Sequence, residues 1–191
     1  MTVGVLALQG DFAEHQEALR RLGVPSRQVK YARDLEGLNG LILPGGESTT
    51  MLKLLTEENL LEPIKDLVSR GGALYGTCAG AILMAHRVVG PEQPSLGLLS
   101  MCIRRNAYGS QVDSHVDFEP CRALGEAPLE MVFIRAPIIE KVEPEVQVLA
   151  RHRGNPVFVR EGKLLATTFH PELTADSRVH RYFVDEVAGR S

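Results

Sequence analysis

The stretch Gly71–Arg87, GGALYGTCAGAILMAHR, decides how this chain is read. Gly71-Gly72 resets the chain, Ala73–Tyr75 is apolar and strand-like, and Ala79–Arg87 is a run of good helix formers. Between strand and helix stands Gly76-Thr77-Cys78-Ala79-Gly80. A strand that turns into a helix across one residue forces that residue into a strained conformation, so its neighbours two away must be small. The pattern is the cysteine version of the G-x-S-x-G nucleophile elbow. Such an elbow lifts the sulfur clear of a sheet and sets unpaired backbone N–H groups beside it, which lower a thiol pKa and hold an oxyanion. A cysteine among apolar residues is more often just a small buried hydrophobe, so the elbow needs partners to mean anything. Cys102 and Cys121 lack this context and read as plain thiols.

Upstream of the elbow, strand and helix signals alternate. Val3–Leu8 is a short apolar run of the kind buried on both faces of a sheet, and Asp11 stands where a helix N-cap would, with Glu14 three residues on. Phe12–Leu22 places Phe12, Ala18, Leu19 and Leu22 on one helical face. Ser26–Lys30 and Gly40–Leu43 read as strands, the second breaking at Pro44-Gly45-Gly46; Thr49–Leu55 and Pro63–Arg70 read as helices. Strands separated by helices imply parallel pairing with right-handed crossovers. Downstream the rhythm changes. Leu98–Arg104 and Gln111–Phe118 read as strands with no helix between them, hence antiparallel additions. Val146–Arg151, Pro156–Arg160 and Lys163–Phe169 read as a hairpin meander, and a last helix over Ala175–Val187 carries Val179, Tyr182, Phe183 and Val187 on one face. The expected fold is a single α/β domain over 1–191, a three-layer sandwich with a mixed, mostly parallel central sheet.

Composition limits what such a domain does. The 191 residues are 44% hydrophobic and 24% charged, as in ordinary globular proteins, which excludes disorder and fibrous repeats. A net charge of −3 argues against a general nucleic-acid surface. The uncharged stretch Gly71–Ala85 is too short to span a bilayer, and the apolar run near the N-terminus has no cationic lead, so neither a membrane span nor a signal peptide is expected. Three cysteines without a C-x-x-C pair or zinc-like spacing fit free thiols in a reducing, cytoplasmic setting.

A cysteine nucleophile needs a base, and the base needs something to fix its tautomer. Among six histidines, His170 alone ends an expected strand, in His170-Pro171-Glu172. Pro171 holds His170 extended, and residues two apart in an extended segment share a side, so Glu172 can meet the imidazole. The other five, His15, His86, His115, His152 and His180, read as surface or structural. Leu43-Pro44-Gly45-Gly46-Glu47-Ser48 is the third signal: two glycines after a strand let backbone N–H groups face a ligand, and with the Ala79 amide they complete a two-donor oxyanion hole. Arg105 and Arg135 are candidate partners for a substrate carboxylate. Sequence logic also leaves open a cysteine peptidase or chaperone-like protein on the same architecture, and a binding module without catalysis.

Taken together these residues resemble the class I (triad) glutamine amidotransferase superfamily, with its flavodoxin-like sandwich. More narrowly they resemble the family of glutaminase subunits of ribose-5-phosphate-dependent pyridoxal 5′-phosphate synthases. The resemblance rests on Val5–Gly10, Leu43–Met51, Gly76–Gly80, Arg105–Ser114, Phe133–Pro137 and Phe169–Thr174 and covers nearly the whole chain. It implies hydrolysis of L-glutamine to L-glutamate and ammonia, with the ammonia passed to a separate synthase subunit and no metal or cofactor in this step. It implies Cys78 as nucleophile with His170 and Glu172 completing the triad. Gly46, Glu47, Ser48, Arg105, Ile134 and Arg135 would contact glutamine, Gly45, Gly46 and Ala79 would form the oxyanion hole, and Gln9 and Gly10 would shape the loop beside it.

Overall fold

The computed structural model describes residues 1–107 and 114–189. Five strands run parallel in the order β2 (Ser26–Val29), β1 (Val3–Leu6), β3 (Gly40–Leu43), β4 (Ala73–Thr77) and β12 (Leu164–Thr167). Beyond β12 the sheet continues antiparallel through β11 (Asn155–Glu161) to β10 (Gln147–His152), which is the expected meander. The residues of β1, β3, β4 and β12 are all buried, because helices cover both faces. On one side Met51 and Leu55 of α2 (Ser48–Glu57) and Ile64 and Leu67 of α3 (Leu61–Ser69) pack on the sheet. On the other, Leu19 of α1 (Phe12–Arg21) joins Val179 of α5 (Arg178–Tyr182) and Phe183, Val184 and Val187 of the π-helical turn, Phe183–Ala188, that continues it. The result is the three-layer arrangement with a mixed sheet.

Register decides where the chemistry gathers. Leu43 at the end of β3 lies opposite Gly76 of β4, and Thr167 at the end of β12 lies opposite Thr77. The segments that follow these three adjacent strands, the Pro44-Gly45-Gly46 loop, Cys78 and the approach to His170, therefore leave the sheet at one carboxyl edge. In open α/β sheets that edge is where ligand sites form.

Several expectations are corrected. The helix after the elbow, α4, covers only Ala79–Met84; Ala85–Val89 is strand β5, its backbone turned extended at Ala85 (ψ 144°) and its Val88 and Val89 suited to a pleated surface. Leu99–Arg104 (β6) pairs parallel with β5 and antiparallel with β9 (Ile138–Val142), making a separate three-stranded sheet and not an antiparallel extension of the central one. Ser114–Glu119 (β7) pairs antiparallel with β8 (Leu129–Ile134) as a second small sheet; residues 111–113 of the expected strand lie outside the described residues. Neither β8 nor β9 follows from the reading of the chain, although alternate residues of β8 (Leu129, Met131 and Phe133) are buried, the period of a half-buried strand. The last helix starts at Arg178, three residues late; ahead of it the Asp176 carboxylate accepts the Arg178 N–H at 3.0 Å. Asp11 makes no side-chain cap for α1; its carboxylate is turned elsewhere.

Candidate active site

Cys78 sits at the turn from β4 to α4 with φ 48° and ψ −101°, the strained conformation the elbow demands. The flanking glycines are required by contact. A Cβ on Gly76 would fall 2.5 Å from the Gly80 carbonyl carbon, and a Cβ on Gly80 would run into the Leu43 carbonyl. Cys78 N–H is held by Thr167 C=O at 2.9 Å, and its Sγ lies 4.0 Å from the carbonyl oxygen of Ile134. Asn106 (φ 53°) and Arg135 (φ 44°) also hold left-handed backbones, and both line the same cavity as Cys78. Three of the five described non-glycine residues with positive φ thus line one hollow, Asn59 and Arg153 being the others, and such strain is common at functional sites.

His170 is anchored by its N–H to Val132 C=O at 2.8 Å. Its Nδ1 lies 2.7 Å from Glu172 Oε1 and 3.5 Å from Asp11 Oδ2, and its ring shares the wall of one cavity with the Cys78 thiol. Glu172 does not reach the ring along an extended strand, as the sequence implies, but from a short 3₁₀ turn, Pro171–Leu173, begun by the proline. Both side chains are buried. Burial opposes charge on His170, yet the hydrogen bonds with Asp11, Cys78 and Glu172, together with the Glu172 charge, outweigh it and raise the imidazole pKa. Burial pushes the Glu172 carboxyl up, against the pull of His170.

Behind Glu172 lies a polar cluster in the core. His15 Nε2 is 3.6 Å from Glu172 Oε1 and 3.1 Å from Thr77 Oγ1, and His15 Nδ1 is 2.9 Å from His180 Nε2. Burial, then the neighbouring histidines, hold the His15 pKa well below its ordinary value; burial, then Arg21, lower that of His180 to about 3. Both rings are neutral in the folded protein, so the unfolded chain binds more protons below about pH 6.5 and stability falls as pH drops towards 3. At pH 5 the loss from His180 is about 2 kcal/mol. Chemical denaturation of His180→Gln at pH 7 and pH 5 should show an acid-induced loss about 2 kcal/mol smaller than wild type. An equal loss in both proteins would remove His180 as the source.

The glycine loop is tightly fixed. Asp11 N–H donates to Gly45 C=O at 3.1 Å, and Glu47 N–H donates to Gln9 Oε1 at 3.3 Å. A Cβ on Gly45 would lie 2.9 Å from His170 Nδ1, and one on Gly46 (φ 152°) would strike the Gln9 amide. The Glu47 carboxylate caps α2 through Thr49 N–H and Thr50 N–H at 3.0 and 2.7 Å; despite some burial these bonds lower its pKa to about 2. Loop and elbow wall a cavity of about 330 Å³. Gly46, Glu47, Ser48, Arg105, Ile134 and Arg135, the expected substrate contacts, all line it with Cys78 and His170; Gly45, Ala79 and Glu172 adjoin these residues without lining it themselves.

A model of the SNO glutamine amidotransferase family matches residues 5–189. This chain belongs to that family. It is 53% identical over 185 residues to a Moorella thermoacetica protein described as pyridoxal 5′-phosphate synthase subunit PdxT, covering 96% of this chain and 98% of the relative. It is 54% identical over 189 residues to a Thermus thermophilus protein of the same description, covering 98% and 97%. A solved structure described as a glutamine amidotransferase superposes with a TM-score of 0.92 at 51% identity, covering 98% of this chain and 99% of that one. A Thermoplasma acidophilum structure described as a putative GMP synthase subunit shares the fold alone, with a TM-score of 0.71 at 17% identity, covering 99% of this chain and 94% of that one.

Within this amidotransferase site two participants escape sequence reasoning. Asp11, a helix cap by its place in the chain, turns its carboxylate to His170 and lines the cavity. Gln93 accepts hydrogen bonds at Oε1 from Ser48 Oγ (3.1 Å) and from the Arg105 guanidinium, whose other arm donates to Thr49 Oγ1 at 3.0 Å. No motif, period or spacing surrounds Gln93, so nothing in the chain announces its role. An aspartate that fails to cap is likewise a signal recoverable only from coordinates.

Proposed function

We propose that this amidotransferase is the glutaminase subunit of a pyridoxal 5′-phosphate synthase, hydrolysing L-glutamine to L-glutamate and ammonia and delivering the ammonia to a separate synthase subunit. The observation that carries the reading is the meeting of Cys78, His170 and Glu172 at one cavity that also bears the glycine loop and two arginines. Thiol, imidazole, carboxylate and backbone amides can fill every role this hydrolysis needs.

Cys78 Sγ, its proton passed to His170, attacks the side-chain carboxamide carbon of glutamine. The C=O π bond opens to an oxyanion held by backbone N–H groups at Gly46 and Ala79, with Gly45 shaping the loop. His170 returns the proton to the nitrogen, the C–N bond breaks, and ammonia leaves a γ-glutamyl thioester on Cys78. Water, losing a proton to His170, then attacks the thioester; the C–S bond breaks, His170 returns the proton to Cys78 Sγ, and glutamate is released. Glu172 holds Nδ1–H so that Nε2 faces the sulfur. Arg105 and Arg135 supply positive charge for the substrate carboxylate, beside Glu47, Ser48 and Ile134. The chain works as one domain, in the cytoplasm, where its thiol stays reduced.

Ammonia is useful to a synthase only while unprotonated, which favours a closed path and activity coupled to docking. The loop is built for such control: the Asp11 N–H holds the Gly45 carbonyl, so reorienting the Gly45-Gly46 peptide requires that bond to yield, while Gln9 holds the Glu47 N–H of the next peptide. Glutamate release should rise at least about tenfold when the synthase subunit is added, a change of about 1.4 kcal/mol in the barrier. Equal turnover with and without the synthase would sink the coupling, and turnover of peptides without response to glutamine would favour a peptidase.

A further inference from the structure

A second cluster lies outside the catalytic cavity. His115 and Asp117 are two residues apart on β7 and share a face, and His152 ends β10 at the edge of the central sheet. One ligand atom from each falls within 4.8 Å of the others. The two imidazole nitrogens are 3.4 Å apart, and Asp117 Oδ2 is 3.8 Å from His152 Nε2. We propose that His115, Asp117 and His152 form a binding site for a divalent transition metal of the zinc type.

The spacing of the two histidine nitrogens suits an ion better than a plain hydrogen bond, and the Asp117 oxygen, at 3.8 Å, has to close by a few tenths of an ångström to join them. Two nitrogens at 2.0–2.1 Å from a tetrahedral zinc stand about 3.3–3.4 Å apart, whereas a good N–H hydrogen bond is no longer than about 3.2 Å. The next residue on the same face of β7, Glu119, completes the arrangement: its Oε1 is 2.8 Å from His152 Nδ1. A carboxylate on Nδ1–H keeps the proton there and leaves the Nε2 lone pair for a metal, the pattern seen behind metal-bound histidines. Phe133 fixes both rings, stacking on His115 at 4.9 Å and on His152 at 4.7 Å between centroids. Imidazole and carboxylate suit zinc, and three protein ligands leave a fourth position for water. The ion would pin the β7–β8 ribbon to β10. Distance in the chain hides the site, since 37 residues separate the two histidines.

The test uses the full chain with Cys78→Ser, which removes the catalytic thiol as a competing ligand. Dialysis against micromolar Zn²⁺ followed by metal analysis should leave one equivalent bound. Co²⁺ in its place should give the strong visible absorption of a tetrahedral site, and excess zinc should raise Tm by roughly 5 °C at 100 times Kd. His115→Ala, on a strand at the surface, should abolish binding while circular dichroism stays unchanged. Glu119→Gln, with all three ligands intact, should weaken it about 10–100-fold. No retained zinc, or affinity unchanged in His115→Ala, would overturn the site; unchanged affinity in Glu119→Gln would overturn the orienting role given to Glu119.

Discussion

Cys78→Ala is expected to lower glutamine hydrolysis by at least about 10⁴-fold, in the absence or presence of the synthase subunit. Removing the nucleophile of a triad hydrolase costs on the order of 10⁶ in kcat, because the remaining base and oxyanion donors have no bond to form. The fold should be indifferent. Alanine accepts the left-handed backbone at position 78 (φ 48°) as readily as cysteine does, and the Cys78 N–H bond to Thr167 is a main-chain bond that the substitution leaves alone. Among the described residues the thiol's hydrogen-bond contact is a long one, 4.0 Å to Ile134 C=O. Unfolding midpoints within a few degrees of wild type, with glutamate release at the uncatalysed level, is the expected pair of results. Activity within tenfold of wild type would move the nucleophile elsewhere, and Cys102 and Cys121 offer no comparable elbow.

What the chain discloses before folding depends on how local the physics is. The elbow is legible because its cause is contained in five residues: Gly76 and Gly80 are small since each faces backbone at contact distance. The glycine loop after β3 is legible for the same reason, and so is the meander, where Gly154 and Gly162 take left-handed turns between strands. The end of α4 is not. Ala85–Arg87 has helix-forming letters, and only the pairing of β5 with β6 draws it into a strand. Propensity is a weak prior that tertiary pairing overrides.

The same rule separates the triad from its surroundings. His170 and Glu172 are two residues apart and readable as a pair, but the His15–His180 bond joins residues 165 apart, and nothing in either neighbourhood announces it. Sequence alone leaves both rings as surface or structural groups; the structure makes them core, and sets His15 against the acid of the triad. Asp11 is the instructive case. Its place before a helix gives it a sufficient local explanation, and that explanation hides the non-local one.

That leaves two carboxylates within reach of His170 Nδ1, and their substitutions should separate them sharply. Glu172→Gln is expected to reduce kcat/KM by about 10³–10⁴-fold, since an amide that donates to Nδ1 holds the imidazole in the tautomer with Nε2–H towards the sulfur, unable to take the thiol proton. Local contacts make the wrong orientation hard to escape. Oε1 lies 2.7 Å from His170 Nδ1 and 3.6 Å from His15 Nε2, while the buried Oε2 has no hydrogen-bond partner among the described residues. Turning the amide oxygen to the two imidazoles would bury its NH₂ where no acceptor waits, at a cost of about 1–3 kcal/mol. Asp11→Asn should cost far less, within about tenfold, because its oxygen is 3.5 Å from Nδ1 against 2.7 Å for Glu172 and its side chain is 37% exposed, so its bond is longer and better screened by water. Steady-state rates of the two variants across pH 6 to 9 make the comparison. A loss larger for Asp11→Asn than for Glu172→Gln would transfer the orienting role to Asp11 and leave Glu172 as a buried support shared with His15.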